Sequence, residues 1–285
     1  MDAGIMGNTS DCCMVISFTV RCMPRFCANL SFLFTESPFL ARFEQAAAAG
    51  FSAVEFHYPY AHDPYAVRAA LDAAGIEAAL INVRAGDHTA GEWGFAGVPG
   101  RADTFKLCVD EALAYAEIIG VAQLNCLAGV RPTTASGHDC ATTLVANLTF
   151  AAREAAKSGV AINLEPLNTV DVPGYLVANA AYARHVIELV GEPNLRLQYD
   201  WYHAAMMGID VGNELAEVAP LAGHMQFADA PGRGEPGSGE IDFQTLFARL
   251  DELGYSGWLA AEYRPTKSTV STLGWMRPAN QPNPL

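Results

Sequence analysis

The sequence predicts an α/β protein folded as a single closed (β/α)8 barrel, the TIM-barrel class. Three observations carry that expectation. Brief β-branched or aromatic runs alternate with longer alanine-rich stretches at helical spacing. The alternation yields eight strands within 285 residues. Five of the helical stretches stop at a glycine just before the next apolar run, as a left-handed C-terminal cap requires.

The first run is Phe26 to Phe34, followed by a helix over 38–49 that stops at Gly50. FSAVEF (51–56) is the second strand, and a helix over 64–74 closes at Gly75 before EAALIN (77–82). A helix over 103–119 and Gly120 lead into VAQLNCL (121–127), and one over 140–158 and Gly159 into VAINLE (160–165). Helices over 178–190 and 211–219 bracket LRLQYD (195–200). HMQFAD (224–229), a helix over 242–253, Gly254 and GWLAAE (257–262) complete the series. Strict alternation implies parallel strands joined by right-handed crossovers. An open doubly wound sheet would carry a glycine fingerprint at an early strand exit. The G-x-G-x-x-G from Gly232 to Gly237 instead follows the seventh strand and contains a proline, so it reads as a βα loop over the barrel mouth.

Residues 1–22 hold a short apolar run, Met14 to Val20, with two aspartates and no basic residue before it. A secretory signal needs a basic start, and a bilayer span needs ~20 apolar residues. The expectation is a cytoplasmic protein with 1–22 as an extension, disordered or a non-native start, and 23–285 as the barrel. Seventeen basic and 31 acidic residues give a net charge of −14, which argues against nucleic acid and anionic membranes as partners. Seven scattered cysteines without a C-x-x-C pair fit a reducing compartment. No coiled-coil seam or interface helix is legible, so homo-oligomerisation is left open.

Barrel active sites lie at the C-terminal strand ends. Each of the last four predicted strands brings a polar oxygen there: Glu165, Asp200, Gln226 and Glu262, at intervals of 35, 26 and 36 residues. One such carboxylate commonly caps a helix. Three carboxylates and an amide converging on one mouth would repel each other without a cation, and these oxygen donors suit Mg2+ or Mn2+.

Around these residues the chain resembles the hydroxypyruvate isomerase family, within the xylose-isomerase-like barrels that include ketose 3-epimerases. The motifs are RFCANLSFLF (25–34), PFLARFEQAAAAGFSAVEF (38–56), AGDHTAGEWG (85–94), LEPLN (164–168), DVPGY (171–175), QYDWYH (198–203), HMQFADAPGRGEPGSGEI (224–241) and GYSGWLAAEY (254–263). The resemblance implies a metal held by Glu165, Asp200, Gln226 and Glu262, with Glu165 and Glu262 as catalytic acid and base. It also implies interconversion of hydroxypyruvate and tartronate semialdehyde through an enediolate. A 2-oxo-tetronate isomerase or a ketose 3-epimerase is the alternative on the same scaffold. Two departures bear on the substrate. Trp93 stands in GEWG where the family pattern has arginine, and AAMMG follows QYDWYH in place of a glutamine-rich run.

A small oxo or hydroxy acid needs a partner for its carboxylate, and an arginine fork suits it. Arg233, in the loop after strand seven, is the best placed; Arg84, Arg101 and Arg131 are weaker candidates. His203, three residues after Asp200, is placed to bond a substrate oxygen or a metal ligand. His57 and Tyr58, with Glu55 ahead of them, either wall the pocket or pack. His224 is either a donor behind Gln226 or a core histidine. Trp93, Trp201, Tyr202 and Tyr263 are expected to form an aromatic rim. Metal-dependent phosphodiester cleavage would require a histidine-rich multi-metal site and a basic groove, and a scaffold role would not need the oxygen quartet.

Overall fold

The computed structural model describes residues 24–276, so the extension predicted over 1–22 lies outside the described residues. Eight parallel strands close in sequence order: β1 (Arg25–Asn29), β2 (Ala53–Phe56), β3 (Glu77–Asn82), β4 (Gln123–Asn125), β5 (Ala161–Leu164), β6 (Leu195–Asp200), β7 (Ala222–Phe227) and β8 (Trp258–Ala261). Pairing of β1 with β8 seals the ring. Outside it lie α1 (Arg42–Ala48), α2 (Pro64–Ala74), α3 (Ala102–Ile119), α4 (Gly137–Ala156), α5 (Ala180–Val190), α6 (Trp201–Met206), α7 (Val211–Val218) and α8 (Phe243–Glu252).

Local chemistry sets the boundaries. Asp63, Ser136, Asn179, Asp210 and Asp242 cap α2, α4, α5, α7 and α8 by accepting a backbone N–H. All five predicted stop glycines adopt positive φ, where a Cβ would be strained. Several boundaries differ from the expectation, and three differences bear on the site. The first strand ends at Asn29, whose side chain accepts the Ser31 N–H at 2.9 Å and turns the chain. The seventh begins at Ala222, two residues early, beside a register shift against β6. The helix over Trp201–Met206 was not among those predicted; Asp200 starts it by accepting the Tyr202 N–H.

Large apolar side chains fill the space between strands and helices, whereas the barrel interior has an apolar lower part and a polar upper one. Its lower part packs Cys27, Ala53, Ala79, Trp258 and Ala260, with the Arg25 guanidinium 3.8 Å over the Trp258 ring. Barrel interiors are commonly layered with Val, Ile and Leu. Here Asn29, Glu55, Asn125, Asn163, Gln198, His224 and Gln226 are all buried on the strands, which demands internal partners.

Candidate active site

Three carboxylates meet at the C-terminal strand ends, and all are buried: Glu165 just after β5, Asp200 at the end of β6, Glu262 just after β8. Asn125 Nδ2 donates to Glu165 Oε2 at 2.6 Å. Asp200 Oδ1 accepts the Tyr202 N–H at 2.9 Å. Glu262 Oε1 accepts from Asn29 Nδ2 at 3.0 Å and lies 2.8 Å from His57 Nε2. The Arg233 guanidinium donates to Glu262 Oε2 at 2.7 Å and reaches Asp200 Oδ2 at 3.4 Å. Its carbon lies 4.9 Å from both the Phe32 and the Tyr202 ring, so the guanidinium is held between two aromatic faces and two carboxylates; its backbone adopts φ 57°.

The carboxylates hold protons unequally. Burial, then repulsion from Glu262 and Asp200, raises Glu165 well above the carboxylate range. Burial also lifts Asp200 to about 7, against the pull of Arg233. Glu262, equally buried, is held down to about 2 by the Arg233 charge and the His57 bond. Full ionisation of three carboxylates against one guanidinium would leave two unbalanced negative charges in this buried site, which a divalent cation would balance. The donor chemistry therefore fits a hard dication.

His203 approaches the same cluster: Glu165, Asp200 and His203 offer atoms all within 4.8 Å of one another. Its tautomer decides its part. The Asn168 backbone N–H donates to Nδ1 at 3.1 Å, and Asn168 Nδ2 lies 2.7 Å from the same nitrogen. Nδ1 is thus an acceptor, and the ring proton sits on Nε2, 3.6 Å from Asp200 Oδ2. Burial, then the Arg233 charge, lowers the imidazole to about 3, so it is neutral at pH 7. A protonated nitrogen facing the carboxylates serves as a hydrogen-bond donor, which leaves the ligand atoms to oxygen.

Gln226 is paired in register with Asp200 across β6 and β7. Its Nε2 donates to Glu55 Oε1 at 2.7 Å, and its Oε1 accepts from Gln198 Nε2 at 2.7 Å. His57 is 24% exposed and walls the pocket edge-on to Phe32. Beside it, Tyr58 OH reaches His88 Nε2 at 3.3 Å, and His88 stacks on Trp93 at 4.1 Å.

Several expectations are corrected. Trp201 and Tyr263 are not rim residues: both are fully buried, Trp201 against Phe227, Phe243 and Phe247, and Tyr263 bonded to Thr272. The turn that starts α6 swings Trp201 outward behind β7. Tyr202 backs Arg233 and bonds Asp171 at 2.8 Å. Arg84 is bound to Glu111 and Arg101 to Glu92, and Arg131 lies exposed in the loop after β4; only Arg233 enters the cluster. Glu55 is not a wall residue but lies fully buried on β2, bonded to β1 and β7. The loop after β7 is pinned by Asp229, whose carboxylate accepts backbone N–H groups from Ala230, Gly237, Gly239 and Ile241. Asn29, Asn125, Asn168 and Asp229 were not singled out from the sequence.

A family profile described as xylose isomerase-like TIM barrel matches residues 43–279. The 2-oxo-tetronate isomerase of Cupriavidus necator is 44% identical over 90% of this chain and 98% of its own length. The hydroxypyruvate isomerase of Escherichia coli is 42% identical over 90% of this chain and 99% of its own. A crystal structure described as AP endonuclease, family 2, from Brucella melitensis superposes with TM-score 0.86 at 38% identity, covering 89% of this chain and 98% of that one. With its closed barrel and the match over most of its length, the chain belongs to the xylose isomerase-like TIM barrel family, in the branch of the hydroxypyruvate and 2-oxo-tetronate isomerases.

Proposed function

We propose that the protein is an isomerase of short 2-oxo acids that interconverts hydroxypyruvate and tartronate semialdehyde, with a 2-oxo-tetronate as the alternative substrate. In either case a proton leaves C3 and returns to C2, while a hydroxyl proton passes from the oxygen on C3 to that on C2. The observation that carries this reading is the set of three buried strand-end carboxylates with unequal proton affinities around one fixed guanidinium. The two relatives at 44% and 42% identity support it by their names.

Glu165, Asp200, Glu262 and the Gln226 amide oxygen would hold Mg2+ or Mn2+, which polarises the carbonyl and stabilises the charge of the enediolate. Glu165 is the base at carbon: its Oε1 has no hydrogen bond among the described residues, and burial favours its taking a proton. Glu262, with both oxygens engaged, stays ionised and handles the proton on oxygen through His57. The fixed Nε2–H of His203 donates to a substrate oxygen. Arg233 spends Nε and one terminal nitrogen on Glu262 and Asp200, leaving Nη1 for the substrate carboxylate.

The four described cysteines are buried and unpaired, which supports a reducing, cytoplasmic setting. Among the described residues no helix is long and apolar enough to cross a membrane. Endonuclease activity, named in the Brucella structure's description, is opposed by the net charge of −14 and by a cluster built mainly of carboxylates, with only His203 and His57 against them among the described residues. The test is a panel of hydroxypyruvate, 2-oxo-tetronates and free ketoses with Mn2+ or Mg2+. Turnover of a short oxo acid, reduced 10²- to 10⁴-fold in Glu165→Gln, is expected. Turnover of ketoses alone would move the protein to the epimerases.

A further inference from the structure

Glu55 lies one step behind the cluster and has no hydrogen bond to its carboxylates, yet two amide donors and an imidazole converge on it. Asn29 Nδ2 and Gln226 Nε2 each donate to Oε1 at 2.7 Å, and His224 Nε2 bonds Oε2. All four side chains are buried, at 1% exposure or less. An oxygen that receives two short contacts from amide ends is filled as an acceptor. The atoms that Gln226 and Asn29 turn toward it must therefore be their amide NH2 groups, and their oxygens must point away. For Gln226 this leaves Oε1 accepting from Gln198 Nε2 at 2.7 Å with a second lone pair free, beside Asp200 in the strand register. Asn29 uses its other amide hydrogen on Glu262 Oε1 at 3.0 Å. One carboxylate thus sets which end of the Gln226 amide the strand-end cluster meets, and orients the amide that braces Glu262.

We propose that Glu55 is a positioning residue that fixes the Gln226 amide with its oxygen, not its nitrogen, toward the divalent cation; this rests on the metal-site reading above. A glutamine at position 55 would have one oxygen to share among two amide donors and the imidazole. With that oxygen turned to His224, its NH2 faces Gln226 and drives the Gln226 amide to flip, presenting NH2 to the cation. A carboxylate at 226 has oxygen at both ends and cannot be flipped out of place.

The experiment is calorimetric titration of Mn2+ into the metal-stripped full chain, with thermal unfolding of each metal-free variant as the control for folding. Glu55→Gln is expected to weaken Mn2+ binding about ten-fold or more, the scale of outer-shell effects on metal sites. The double variant Glu55→Gln/Gln226→Glu restores one donor facing one carboxylate, and is expected to recover the wild-type affinity or exceed it. A purely structural role would lower the unfolding midpoint without this recovery. Wild-type affinity in Glu55→Gln, or a folded double variant as weak as the single one, would overturn the inference. Asp200→Asn separates the two claims. If it leaves Mn2+ binding unchanged, the metal-site reading fails and Glu55 with it; if it abolishes binding while Glu55→Gln does not weaken it, only Glu55 fails.

Discussion

Asp200 and Glu262 share one guanidinium, yet the first is lifted to about 7 and the second held to about 2. Arg233 lies 2.7 Å from Glu262 but 3.4 Å from Asp200, and only Glu262 has a histidine bond. The consequence for the metal-free protein has a definite sign. Between the ordinary aspartate value of 3.8 and about 7, folded Asp200 keeps a proton that the unfolded chain releases. The folded state then binds more protons, and stability falls as pH rises through that window. Glu262 acts oppositely but lower, its stabilisation being lost as pH falls from 4.5 toward about 2. Urea unfolding of the stripped protein at pH 5 and pH 7.5 should show the higher stability at pH 5. Asp200→Asn should reduce the difference, and stability that rises with pH would refute the assignment.

The loop from Asp229 to Ile241 depends on one side chain. The Asp229 carboxylate gathers four backbone N–H groups at 2.8–3.0 Å and is fully buried. Arg233 rides on that loop in a left-handed conformation. Asp229→Ala would leave several donors without partners and release Arg233. The expected loss is about 3 kcal/mol in urea unfolding, with a fall in turnover, since one unsatisfied buried group alone costs about 1–3 kcal/mol. Unchanged stability would show that the loop is held by other contacts. At this scale the sequence was legible where local rules suffice: glycine stops, helical spacing and apolar runs placed all eight strands. It was silent on α6, because Asp200 reads equally as a strand end and a helix cap. Trp201 and Tyr263 were misplaced for a related reason, since a strand's exit direction is set by the next turn and not by its own alternation.

Across the whole molecule, a barrel interior lined by Asn29, Glu55, Asn125, Gln198 and His224 gives up apolar filling for a bonded frame beneath the carboxylates. The four strand-end oxygens were legible because barrel geometry says where to look. The same question put to the first four strands finds Glu55, already named beside His57, and the amides Asn29, Asn82 and Asn125, neutral groups that a search for carboxylates passes over. The tautomer of His203 was beyond reach, since it follows from a contact with Asn168 that only the folded loops create. The whole arrangement is organised to move a proton between adjacent carbons, and the most direct measurement is an NMR time course of hydroxypyruvate in D2O with Mn2+. The account predicts solvent deuterium at C2 of the product and at C3 of recovered substrate, both lost in Glu165→Gln. Turnover that leaves both carbons free of solvent deuterium, or wash-in undiminished by Glu165→Gln, would contradict it.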